Sequence, residues 1–140
     1  MTECSDKQLK FEVSSEWRGN TSNFMKAREF GYIVDEPVVF EGSNLGPNPA
    51  EMLLSAIAGC ISTGSELIAR GRGVEFSGFK AEASAVIDLA DVVLGGFSLV
   101  VRVKGNADEA VLRSIVQEAF DGSPIVGSLK SKPEFKIIVE

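Results

Sequence analysis

No histidine occurs anywhere in the 140 residues of this chain. That absence removes the commonest general base, the usual activator of a serine or cysteine nucleophile, and the commonest zinc ligand. Cysteine is almost as scarce. Cys4 and Cys60 alone, without histidine, make a poor metal site, so no metal and no cofactor is expected. Basic residues are outnumbered, 14 Lys and Arg against 20 Asp and Glu, and no basic cluster occurs. The net charge of −6 therefore argues against nucleic acid as a partner. Gly71-Arg72-Gly73 and Gly95-Gly96 lack the spacing of a phosphate-cradling loop. No apolar run is read as reaching membrane-spanning length, and the opening Met-Thr-Glu-Cys-Ser-Asp-Lys lacks the apolar stretch of a secretory signal. A cytoplasmic location without a membrane partner is expected, where both thiols stay reduced. The chemistry left to the chain is that of Cys, Glu, Arg, Lys and Tyr32.

The 44% apolar and 24% charged fractions are those of an ordinary globular chain, expected as a single domain over 1–140. Leu9, Phe11 and Val13 alternate with Lys10, Glu12 and Ser14, which predicts a half-buried strand over 9–17. Arg18-Gly19-Asn20 reads as a turn, followed by strands over 24–30 and 32–34 and a short one at 38–40. Residues 46 to 60, Gly-Pro-Asn-Pro-Ala-Glu-Met-Leu-Leu-Ser-Ala-Ile-Ala-Gly-Cys, carry the strongest local signal. Asn48 suits an N-cap and Pro49 the first helical position, while Glu51 can reach back to the Asn48 N–H as in a capping box. The helix is expected to run to about Arg70, before Gly71 and Gly73, over roughly 33 Å. Met52 to Ile61 is uniformly apolar or small, which predicts burial on nearly all sides. Small residues Ser55, Ala56, Gly59, Ser62 and Thr63 recur along it and admit a close helix neighbour, either a second subunit's copy or the chain's own sheet.

Strands are expected over 79–87 and 97–103, joined by an unusually apolar connection, Leu89–Gly96, of the kind that packs on another chain. Asn106, with Glu109 at the capping-box position, is expected to start a second helix that buries Val111, Leu112, Ile115, Val116, Ala119 and Phe120. Gly122 ends it, Ser123-Pro124 forces an extended exit, and Phe135, Ile137 and Val139 alternate in a last strand. The order is that of an α+β fold.

Gly-Pro-Asn-Pro-x-Glu leading into an apolar helix with a cysteine, and Gly122-Ser123-Pro124-Ile125 followed by Leu129-Lys130, resemble the OsmC/Ohr family of thiol proteins. The resemblance implies antiparallel sheets wrapped around a long central helix in an intertwined homodimer. It implies reduction of organic hydroperoxides by a peroxidatic cysteine matching Cys60, a glutamate matching Glu51, and an arginine matching Arg18 or Arg28. One departure is decisive: where the family carries a resolving cysteine, this chain has Ser123. A hydroxyl cannot close a disulfide, so the expected resolver is an external low-molecular-weight or protein thiol.

Each of these residues also has a plain structural reading. A cysteine in an apolar helix ordinarily behaves as a small hydrophobe. Glu51 caps its own helix. It also lies nine positions before Cys60, about 180° around and ~13 Å along a helix, so the two cannot touch within one helix. Ser123 begins an exit from a helix, with a hydrogen bond into the thiol pocket as its remaining function. Cys4 reads as a tail residue, or as a replacement resolving thiol. The competing reading of the whole is a non-catalytic module that binds a small apolar or thiol-bearing ligand at the dimer interface.

Overall fold

A computed structural model describes residues 8–140, with the backbone of Thr2–Glu3 besides. Cys4 lies outside the described residues. The chain divides into two compact units, Met1–Met52 and Leu53–Glu140.

In the first unit, strand β1 (Thr2–Glu3) pairs with β2 (Leu9–Lys10), and β3 (Ser14–Gly19), β4 (Ser22–Ala27) and β5 (Phe30–Val34) form an antiparallel meander. The single strand expected over 9–17 is thus two pieces, because residues 11–13 pair with nothing in either sheet. Arg18 lies inside β3 rather than in the turn, which is made by Asn20 and Thr21, with Gly19 and Asn20 at φ of 111° and 48°. Arg28 lies in the β4–β5 turn at φ 56° instead of within a strand. Val38–Phe40 is one turn of 3₁₀ helix and not a strand.

The second unit is built on β6 (Phe76–Asp88) and β7 (Val93–Gly105), a hairpin of two 13-residue strands. Strand β8 (Glu134–Val139) adds to β7 in parallel, so this sheet is mixed rather than purely antiparallel. Period-two alternation decides which face of β7 is dry: Phe97, Leu99, Val101 and Val103 are all buried. Against that row pack Ile57 and Ile61 of helix α1 (Pro49–Gly71) and Leu112, Val116 and Phe120 of helix α2 (Glu109–Asp121), in one hydrophobic cluster. Each such side chain contributes roughly 1.5–3 kcal/mol by leaving water. Phe120 stacks on Phe135 of β8 with ring centroids 4.1 Å apart.

Four expectations change here. Helix α1 is buried along one stripe only, Ile57, Ile61, Ser65 and Ala69, and its small-residue stripe at Ser55, Ala56, Gly59 and Thr63 is exposed. By length and composition α1 also reaches what a membrane span needs, with a mean hydropathy of 1.5 over its most apolar window. The cap of α2 is Asp108, whose Oδ1 accepts from the Val111 N–H at 2.9 Å, while Asn106 Oδ1 instead accepts from the Glu75 N–H at 2.9 Å. Ser123-Pro124 does not lead into extended chain but starts a short helix, α3 (Pro124–Gly127).

The apolar hairpin connection is shorter than expected, because Val93 and Leu94 already pair with Asp88 and Ile87. Leu89, Val92 and Val93 are exposed there, and Val92 stands at φ 53°, a strained conformation for a β-branched residue.

Candidate functional site

The stretch that leads into α1 is organised by a residue that sequence reasoning missed. Asp35, at the end of β5, is 1% exposed. Its carboxylate accepts from Thr21 Oγ1 at 2.5 Å, from the Glu36 N–H at 2.9 Å and from the Leu45 N–H at 3.1 Å. The Thr21 hydroxyl first, and then the Leu45, Glu36 and Ser43 backbone donors, hold this carboxyl below the usual carboxylate range against the opposing effect of burial. The Asp35 N–H in turn donates to the Pro47 carbonyl at 3.1 Å, which brings the two ends of the loop together. Gly46 lies so close to β5 that a Cβ there would sit 2.2 Å from the Ile33 carbonyl oxygen, so only glycine fits. The signal available in sequence was the Asp35-Glu36-Pro37 triplet after an apolar strand, a common loop-start pattern.

The helix start follows as expected. The Glu51 N–H donates to Asn48 Oδ1 at 2.9 Å, and the Asn48 N–H donates to Glu51 Oε2 at 2.8 Å, so the capping box is closed in both directions. Pro49 takes the first helical position, where no N–H is needed.

Eleven positions into α1, between the buried Ile57 and Ile61, the half-buried Cys60 meets Ser123. The Ser123 hydroxyl donates to Cys60 Sγ at 3.2 Å. Ser123 is 5% exposed and caps α3 by accepting from the Val126 N–H at 3.2 Å. Helix α2, ended by Gly122, delivers Ser123 to this spot, and the Phe120–Phe135 stack anchors that end of α2 in the core. The sequence-predicted pair Cys60 and Ser123, 63 residues apart, is therefore in direct contact. The remaining candidates belong to the first unit. Arg18 pairs with Glu16 at 3.2 Å and lies 5.3 Å from the Phe24 ring centre. Arg28 lies 5.1 Å from that of Phe30. Among the described residues no group of three or more Cys, Asp and Glu side chains is arranged to hold a metal ion.

The Cys60 sulfur thus stands at a half-exposed position with one hydroxyl donor held beside it. No second cysteine faces it among the described residues.

The family model described as "OsmC-like protein" matches residues 42–138. No curated protein matches the chain in sequence. Among solved structures, an OsmC-like protein from Mycoplasma pneumoniae superposes with a TM-score of 0.78 at 18% identity, over 97% of this chain and 96% of that one. The organic hydroperoxide resistance protein OhrB of Bacillus subtilis superposes with a TM-score of 0.66 at 15% identity, over 94% and 98%. An OsmC-like protein of unknown function from Vibrio cholerae gives 0.75 at 12% identity, over 95% and 100%. At these identities the likeness is one of fold.

Proposed function

This chain belongs to the OsmC-like protein family, and on that premise we propose that it reduces organic hydroperoxides with Cys60 as its one reacting thiol and an external thiol as resolver. The observation that carries this reading is the 3.2 Å hydrogen bond between Ser123 Oγ and Cys60 Sγ. A donor is in place for the thiolate, and the group in contact with it is a hydroxyl, which cannot complete a disulfide. Organic hydroperoxide resistance is the role named for relatives of the same fold from Bacillus subtilis and Legionella pneumophila.

The steps follow from sulfur chemistry. The Cys60 thiolate attacks the distal oxygen of the hydroperoxide and the O–O bond breaks. The alkoxide takes a proton and leaves as an alcohol, and Cys60 is left as a sulfenic acid. An external thiol attacks the sulfenic sulfur, water departs, and a mixed disulfide forms. A second thiol equivalent releases the small disulfide and restores Cys60. In this reading Arg18 or Arg28 supplies the cation that favours the thiolate and polarises the O–O bond, and Glu51 orients that arginine while capping α1. The working unit is a homodimer, a reading supported by the exposed small-residue stripe of α1.

One observation favours binding without turnover instead. The first unit holds a cavity of about 320 Å³ between its meander and the first turn of α1, lined by Asn23, Met25, Tyr32, Val34 and Met52, a size and character that suit a small apolar ligand. Consumption of cumene hydroperoxide separates the two. Without added thiol it is expected to stop after a single equivalent per chain, and with excess dithiol to continue over many turnovers. Consumption no faster than in buffer, with and without dithiol, would refute the peroxidase reading.

A further inference from the structure

Two segments of the first unit border an open crevice. Residues 11–13, which pair with neither sheet, supply one side, and the β4–β5 turn supplies the other. The crevice has a volume of about 550 Å³ and is lined by Lys10, Phe11, Glu12, Val13, Ala27 and Arg28. That volume falls in the ordinary range of small-molecule sites, roughly 300 to 1,000 Å³. Its apolar wall is bare, with Phe11 77% and Val13 57% exposed.

The charges in this lining do not cancel. Lys10 and Glu12 pair with each other at 2.8 Å and so offset one another. Arg28 has no such partner. Among the described residues its guanidinium makes no hydrogen bond and no ion pair, and it lies 5.1 Å from the Phe30 ring centre. A guanidinium stacked on a ring keeps its edge N–H donors, and their fork matches a carboxylate. Glu29, the next residue along, is not part of the lining. Arg28 also stands at φ 56° in the two-residue loop between Ala27 and Phe30, a conformation that favours glycine. We infer that this crevice binds a small monocarboxylate with an apolar body. Arg28 takes the carboxylate, and Phe11, Val13 and Ala27 cover the body. A second negative charge on the ligand would find no free cation, and an uncharged ligand would gain the apolar contact alone. Binding here does not depend on Cys60 and is measured without hydroperoxide.

The experiment titrates the full chain with octanoate and, separately, with 1-octanol, following backbone amide signals by NMR. Octanoate is expected to shift the Phe11, Val13, Ala27 and Arg28 amides saturably. It is expected to bind about fivefold tighter than octanol, the scale of one exposed charge pair. High salt is expected to remove most of that difference. Arg28→Gly suits the turn, so this variant is expected to melt no lower than the unmodified protein while its octanoate affinity falls to that of octanol. Glu12→Gln leaves the turn untouched and releases Lys10, so octanoate is expected to bind about threefold tighter. Equal affinity for octanoate and octanol overturns the site, as does an unchanged octanoate affinity in folded Arg28→Gly. Saturable shifts confined to other residues, or no saturable shift at all, overturn it equally.

Discussion

Replacing Cys60 by serine is expected to reduce hydroperoxide consumption to the rate in buffer alone. The chain has no histidine, so no imidazole can activate the new hydroxyl, and serine does not react with peroxides at neutral pH. Cys4 keeps its thiol in this variant, and with Cys60 as the only reacting sulfur it contributes nothing to turnover. The loss should not come from unfolding. Cys60 is half-buried, and the exchange of sulfur for oxygen at such a position costs about 1 kcal/mol or less. The variant is expected to keep its circular dichroism spectrum and a melting temperature within a few degrees of the original, roughly what a change of that size produces in a chain this long. A folded Cys60→Ser protein that still consumes cumene hydroperoxide with dithiol would remove Cys60 from the mechanism.

Ser123→Cys is expected to change the kind of chemistry rather than its rate. The hydroxyl oxygen lies 3.2 Å from Cys60 Sγ, so a thiol mounted on the same backbone stands in contact with that sulfur. A sulfenic acid formed on Cys60 then meets an attacking thiol inside its own chain and loses water to it. After a single equivalent of hydroperoxide the variant is expected to carry a disulfide between Cys60 and the introduced thiol, seen as joined peptides with a mass lower by two hydrogens. Small monothiols should then restore it slowly and dithiols readily. The weaker cap on α3 costs about 1 kcal/mol, which the fold is expected to absorb. Recovery of a free thiol at position 123 beside an oxidised Cys60 would mean that the two side chains do not meet as described.

What could be read from the sequence divides along the range of the interactions. The Asn48–Glu51 capping box was legible because both partners lie within one turn, and the structure closes it in both directions. The alternating face of β7 and the buried face of α2 were legible for the same reason, since periodicity is local. Where two neighbours competed for one role, sequence could not choose. Asn106 and Asp108 both suit an N-cap, and Asn106 is taken by the Glu75 backbone across the sheet end. The burial of Asp35 depends on Thr21 and Leu45, which reach it from other segments, and no spacing rule announces it. The parallel pairing of β8 with β7 likewise depends on where α2 and α3 return the chain. The apolar composition of α1 suggests burial all round, whereas burial within one chain covers a single stripe. The Cys60–Ser123 contact spans both situations. Each residue was marked in sequence, yet only the fold brings two positions 63 apart into hydrogen-bond distance.

The mass of the Cys60 peptide after one equivalent of cumene hydroperoxide, with no other thiol present, decides whether Cys60 reacts and whether it reacts alone. The single-cysteine account predicts that Cys60 gains one oxygen as a sulfenic acid, that a sulfenic-acid trap captures it, and that the chain forms no internal disulfide. A Cys4–Cys60 disulfide would contradict the account by placing the resolving thiol within the chain, and an unmodified Cys60 would contradict it by showing that the thiol does not react.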